Sequence, residues 1–512
     1  TGNNGVIVGG CKNRNSGAQG FTGGGCENNV TGDYSTIVGG RLLSASGEYS
    51  FVGNGEINSV TGDNSSIVGG STNTASGSGS FIGGGSSNTA SAKESVVGGG
   101  FNNTAEGPCA TIGCTTVGGG ECNQASQCWG FIGGGCSNCV AGIGGVVAGG
   151  LGNNADADYT FIGGGESNLP VNSSHGVVAG GCGNVLAAPC TVIAGGKSNS
   201  TAAGTDFGII GGGQSNAITA NACHGSIIGG CGNKVCNDFG TVAGGKGNCA
   251  GSACSYVGGG ESNDIAAGAH TTVAGGCGNF NCNEASFVGG GRGNALCATT
   301  YGISVLVGGF GNTITGSASG SIIVGGTHNC GTGTGSFIGG GVGNRTTDIH
   351  TIIVGGKDNR SSQDFTIVVG GQDNCSTGNY SVIVGGHSNC SKGNCSFVGG
   401  GCANDACAVG SVVVGGVTNV VTSGVCATIG GGGSNTIAGA NCGTIAGGGS
   451  NEVKSAGSTV GGGFCNIVCA PCSSIVGGQQ NIDEGTCFNS IAGGKSNCIC
   501  FASLGSSIDG GQ

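Results

Sequence analysis

The stretch Ala75-Ser-Gly-Ser-Gly-Ser80-Phe-Ile-Gly-Gly-Gly85-Ser-Ser-Asn88-Thr-Ala90 decides the fold, because its parts return about every 15 residues along the chain. Asn88 follows the last glycine by three positions. The same Asn stands at Asn13, Asn28, Asn58, Asn73 and Asn103, with Leu43 filling the one gap, and it continues at steps of 15 to 20 as far as Asn497. That makes 32 rungs. With this Asn written as n, position n−3 is Gly in every rung, and n−4 is Gly in all but one, where Asn54 stands. Position n−6 is Ile, Val or Leu except at Thr22, and n+2 is mostly Ala, Val or Ile. Each period therefore holds a short β-branched strand, a glycine bend, an Asn corner and a second short strand. A period this short cannot hold a helix and a strand. It fits one turn of an all-β, single-chain parallel β-solenoid, about 15 residues per rung, running as one continuous repeat domain over residues 1–512.

Each column has a physical reason. Glycine supplies bends with φ > 0 and lets neighbouring backbones approach. Asn tolerates a left-handed corner, and stacked Asn amides bond up and down a column as in cross-β ladders. Asn13, Asn28, Asn58, Asn73, Asn88 and Asn103 are thus expected to form a structural ladder. A second pattern lies at n−7, which is Phe in eight rungs: Phe21, Phe51, Phe81, Phe131, Phe161, Phe287, Phe337 and Phe397. In all eight, n−5 is Gly; where n−5 is Val, n−7 is never Phe. Positions n−7 and n−5 share the strand face opposite n−6. Compensating volumes there predict a packed face, and a rung of 15 residues has too little chain to cover it. A second copy is the expected cover, so the chain is expected to form a homo-oligomer.

Composition excludes several classes. Gly numbers 126 of 512 but does not fall at every third position, and Pro numbers only 4, so collagen is out. The 8 Leu and 14 Lys+Arg leave little from which to build helices or coiled coils. No apolar run reaches the ~18 residues of a membrane span, so no membrane insertion is expected. The net charge is −11 and the basic residues never cluster, which argues against a nucleic-acid partner. The chain enters and leaves in mid-turn without an atypical capping repeat. Two readings follow: a window on a longer polypeptide, or ends that pair head to tail in a filament.

The unit around Asn88 resembles the head repeats of trimeric autotransporter adhesins of the YadA type, which read roughly A-x-G-x-x-S-x-A-I-G-x-x-A-x-A. The resemblance covers nearly the whole chain. It implies a left-handed parallel β-roll with three chains side by side, on an extracellular, cell-surface or virion-surface fibre. Similar glycine-rich repeats suit fibres on phage or large viruses. Three features depart from the pattern: Asn follows the glycines, the usual step is 15, and 32 cysteines are present.

Those cysteines fall mainly at n−2, n+1, n+3 and n+6. Pairs five residues apart straddle a corner: Cys231/Cys236, Cys277/Cys282, Cys402/Cys407, Cys249/Cys254 and Cys390/Cys395. Others share a column on adjacent rungs: Cys11/Cys26, Cys282/Cys297, Cys375/Cys390 and Cys472/Cys487. Rungs about 4.8 Å apart lie inside the ~4.4–6.8 Å Cα window of a disulfide. Disulfides, reduced core thiols and metal ligation all remain open, and connectivity is not assigned.

Catalytic patterns are missing. The six His are dispersed and read as solvated loop residues. The acids do not follow the calcium β-roll motif, the G-x-G strings lack strand–helix context, and no regular Thr-x-Thr face appears. No cofactor and no enzymatic activity are expected. The expected function is a structural or adhesive surface fibre. The alternative is a solenoid that recognises glycan or ice along one face, with a host-surface receptor or glycan as partner. Insertions are expected to emerge as loops, the longest between Asn103 and Asn123, which holds Cys109.

Overall fold

The computed structural model of the chain describes residues 4–108, 114–298 and 302–511. Cys109 lies outside them. Every regular element among the described residues is a β-strand, nearly all of them two residues long. They wind a parallel β-solenoid of about 33 turns at about 15 residues per turn. The turn beyond the 32 counted from Asn is opened by strand Ser507–Ile508. The chain forms two compact units, Thr1–Gly259 and Gly260–Gln512. Both repeat the same turn.

The turn holding Asn88 shows the construction. Strand Phe81–Ile82 pairs in register with Ser66–Ile67 below and Val96–Val97 above. Strand Thr89–Ala90 pairs with Thr74–Ala75 and Thr104–Ala105. Between them Ser86 bridges to Ser71 and Phe101, making a third ladder. Successive turns are thus hydrogen-bonded on three sides, and no side chain needs to span a gap between sheets.

Five positions of each turn point inward. In this turn they are Asn88, Ala90, Ala92, Ser95 and Val97, all nearly or completely buried. The aliphatic ones stack directly above their counterparts, so each Ile or Val at n−6 contributes about 1.5–3 kcal/mol by burial. The two corners need a left-handed residue. Ser87 at n−1 has φ 59° and Glu94, nine residues before the next Asn, has φ 56°. Positive φ turns the peptide over, so these two N–H groups point down the stack. Ser87 donates to Ser71 O and Glu94 to Ser78 O, while Phe81, Ser86 and Thr89 donate to the turn above.

This corrects the expected role of the Asn column. The left-handed residue is the one before the Asn, and the Asn itself faces inward, where its amide reaches the backbone carbonyls. The glycine at n−3 is needed as expected. Gly85 has φ 86°, and a Cβ there would collide with Gly100 O of the next turn.

Insertions do more than emerge as loops. The steps of 18 and 17 residues after Asn294 and Asn312 lengthen one strand to Ala295–Ala298 and its neighbour to Thr313–Gly316. These pair with each other over all four residues. Two successive rungs with insertions can share the extra ladder, which keeps the added backbone hydrogen-bonded.

Candidate functional site

The inner ladder is closed by hydrogen bonds at every step except above Leu43. Asn88 Nδ2 donates to Gly84 O of its own turn at 3.0 Å and to Gly100 O of the next at 3.0 Å. Its backbone N–H donates to Asn73 Oδ1 at 2.9 Å, and its Oδ1 accepts the Asn103 N–H at 3.0 Å. Asn13, Asn28, Asn58, Asn73 and Asn103 each make the corresponding pair of amide-to-carbonyl bonds. Asn28 Oδ1 accepts the Leu43 N–H at 3.0 Å, but Leu43 offers no oxygen to Asn58 above it. A second polar column lies one position after the other corner. There Ser35 and Ser65 Oγ donate to Gly47 O and Gly77 O at 2.6 Å. That column is Ser or Thr in most turns and Gly in most of the others, as at Gly130 and Gly145, a signal the sequence reading passed over.

The eight Phe residues all sit on the outward face of their strands. Phe81 is 39% exposed and Phe161 41%, and within each unit no second sheet covers them among the described residues. Their coupling to glycine has a cause inside the chain. An added Cβ at Gly53, Gly289 or Gly399 would strike the carbonyl oxygen of Val68, Val307 or Val414 on the next turn, and would also lie 3.4 Å from Phe51 Cε1, 3.1 Å from Phe287 Cε1 and 3.3 Å from Phe397 Cε1. The ring lies across its own n−5 glycine. The volume exchange therefore does not itself require a second copy. The column remains apolar and exposed nonetheless, with Val38, Val68, Ile209 and Ile228 extending it in the first unit and Ile322, Val354 and Val414 in the second.

The histidines are not scattered loops. His175, His224, His270 and His350 occupy the left-handed corner nine residues before the following Asn, with φ between 52° and 61°. They share it with Tyr34, Tyr49, Tyr159, Phe207, Phe239, Phe365 and Tyr380. Rings on adjacent turns stack: Tyr34 on Tyr49 at 4.8 Å, Phe207–His224–Phe239 at 5.2 and 4.8 Å, and Phe365 on Tyr380 at 5.0 Å. Each such pair adds about 0.5–1.5 kcal/mol beyond burial, which offsets part of the cost of a non-glycine residue at positive φ.

The described cysteines are at least partly exposed, except Cys128, which is buried. None of the five corner-straddling pairs is bonded in the structure. Cys282 pairs with Cys297 on the adjacent turn, Cα–Cα 5.1 Å, and Cys277 is free. Cys231, Cys236, Cys254, Cys390, Cys395, Cys402 and Cys407 are free as well. A corner separates n−2 from n+3, whereas adjacent turns bring the same column together. Thus Cys236 Sγ lies 3.9 Å from Cys249 Sγ, diagonally across two turns. That contact, opposed by burial and helped by Thr219 and Lys234, holds the Cys236 thiol down to about 6. Cys407 is pushed up to about 11 by burial and by Asp405.

Among the described residues no three His, Cys, Asp or Glu converge as metal ligands, and no helix is long and apolar enough to cross a membrane. A shallow hollow of about 320 Å³ adjoins the longest insertion, lined by Ser91, Glu106, Gly107, Pro108 and Ser126. No family model and no curated protein sequence matches the chain.

Proposed function

We propose that the chain is a structural element of a surface filament of the β-roll kind, in which copies associate side by side through the n−7/n−5 face. The observation that carries this reading is the exposed apolar column on a regular, in-register parallel sheet. A few hundred Å² of contiguous apolar surface is the usual limit for a monomer, and exposed Phe, Val or Ile residues recur along this column in both units, interrupted at turns such as those of Thr116 and Thr459. The resemblance to YadA-type heads supports three copies and an outer-surface location. Adhesion to a host receptor or glycan is a further part of the same reading.

Sedimentation equilibrium tests the association. The wild-type protein is expected to sediment as an oligomer, with a trimer the favoured state. Replacing Phe131 and Phe161 by Ser should weaken association while leaving the β-sheet circular-dichroism signal intact. A wild-type monomer at micromolar concentration would overturn the proposal.

Glycan recognition, the second reading, is favoured by the stacked corner rings, which present flat aromatic faces to solvent. Tyr34→Ala with Tyr49→Ala should abolish glycan retention in an array assay if that reading holds.

A further inference from the structure

Cys375 and Cys390 lie on the outward face of adjacent strands, Cys375–Ser376 and Cys390–Ser391, as direct register partners 15 residues apart. The disulfide Cys282–Cys297 joins adjacent turns at the same separation, so this backbone brings neighbouring sulfurs within bonding reach. Both Cys375 and Cys390 are free and only partly covered. Cations surround them. Arg360 is the register partner of Cys375 on the turn below. Lys392, on the turn of Cys390, is bound 2.5 Å from Asp405 Oδ2 on the turn above.

We propose that Cys375 and Cys390 form a thiol–disulfide exchange site for low-molecular-weight disulfides of the glutathione class, with Cys375 as nucleophile and Cys390 as resolving thiol. This activity is independent of whether the chain builds a surface filament.

The two sulfurs are poised differently. The hydrogen bond from Cys390, opposed by burial and by Asp405 and aided by Arg360 and Lys392, holds the Cys375 thiol down to about 7. The same contact pushes Cys390 up, with burial adding to it. In the first step the Cys375 thiolate attacks one sulfur of the small disulfide RSSR. A Cys375–SR bond forms, the S–S bond of RSSR breaks, and RS⁻ leaves to take a proton from water. Cys375 has then lost its negative charge, so the contact that held the Cys390 proton is gone. Cys390 releases its proton to water, its thiolate attacks the Cys375 sulfur, and a second RS⁻ departs. The protein dithiol is oxidised by two electrons and RSSR is reduced to two RSH. Attack needs a thiolate, and an attacking thiol with pKa near the ambient pH is the most effective.

The experiment uses the full chain, reduced and freed of reductant. Limiting iodoacetamide at pH 7, followed by peptide mass spectrometry, should label Cys375 about tenfold faster than Cys330, which shares the column but has no thiol neighbour. The rate should rise through a midpoint near pH 7. Glutathione disulfide should convert the pair to a Cys375–Cys390 disulfide. Cys390→Ser should instead accumulate the glutathione adduct on Cys375. Arg360→Gln keeps both thiols and should slow labelling of Cys375 and move its midpoint upward, which guards against a variant that only misfolds. Equal labelling of Cys375 and Cys330, or adducts spread over the exposed cysteines with no disulfide between this pair, would overturn the proposal.

Discussion

Asn88 closes two carbonyls of different turns, receives an N–H from the turn above and gives its own N–H to the turn below. No other side chain of its size offers two donors and an acceptor in one plane. Truncating it leaves the buried Asn103 N–H without its acceptor and takes one donor from each of the Gly84 and Gly100 carbonyls, the latter keeping the Ser86 N–H. Each such loss costs about 1–3 kcal/mol. Asn88→Ala should therefore lower local stability by about 3 kcal/mol, read as faster hydrogen exchange at the Asn103 amide. Leu43→Asn is the reciprocal test. It supplies the oxygen that the Asn58 N–H lacks and donors for the Gly39 and Gly55 carbonyls. It should slow exchange around Asn58 by about fivefold, a gain of ~1 kcal/mol. A Leu43→Asn protein less stable than wild type would contradict the ladder account.

At the scale of the turn, the two glycines of the bend have different work. Gly25 has φ 90° and a Cβ there would strike Gly40 O, whereas nothing lies within 4 Å of a Cβ on Gly24. Asn54 already stands in the Gly24 column. Gly24→Ala is expected to be neutral or to stabilise by about 0.4–1 kcal/mol by restricting the unfolded chain. Gly25→Ala should destabilise by more than that and shift the thermal midpoint down. The strand, bend and ladder columns were legible in the sequence because the same steric demand is imposed at every turn. The corner column was not. Insertions fall between the Asn and that corner, so its distance from the preceding Asn varies: Tyr159 follows Asn153 by 6, but His175 follows Asn168 by 7 and Phe207 follows Asn199 by 8. Counted back from the following Asn the left-handed corner falls at 9, as in His175 before Asn184 and Phe207 before Asn216. The left-handed n−1 residue escaped notice for another reason. It faces solvent, and residues as different as Lys12, Ile57 and Cys122 occupy it. Cysteine pairs were legible along the columns, where Cys282 meets Cys297, but not across corners, because sequence distance says nothing of which side of a turn a residue occupies. The Phe–Gly coupling was correctly seen, but the n−5 glycine is hemmed in first by the next turn's carbonyl oxygen and only then by the ring of its own turn.

For the whole chain, each unit gains its stability by repetition, with the same three ladders and the same five inward columns at every turn. Such stacking is cooperative between neighbours and needs no distant contacts. What repetition leaves over is surface: an apolar column, a corner of stacked rings and an outward set of thiols. The apolar column is the face the proposed association would use, and a surface filament of the proposed kind would place the thiols in an oxidising setting suited to exchange. Electron cryo-tomography of the native source, with gold-labelled antibody raised against the chain, tests the surface-filament claim most directly. The account predicts label on filaments projecting from the outer surface of the cell or particle. Label confined to the interior, on no extended assembly, would contradict it.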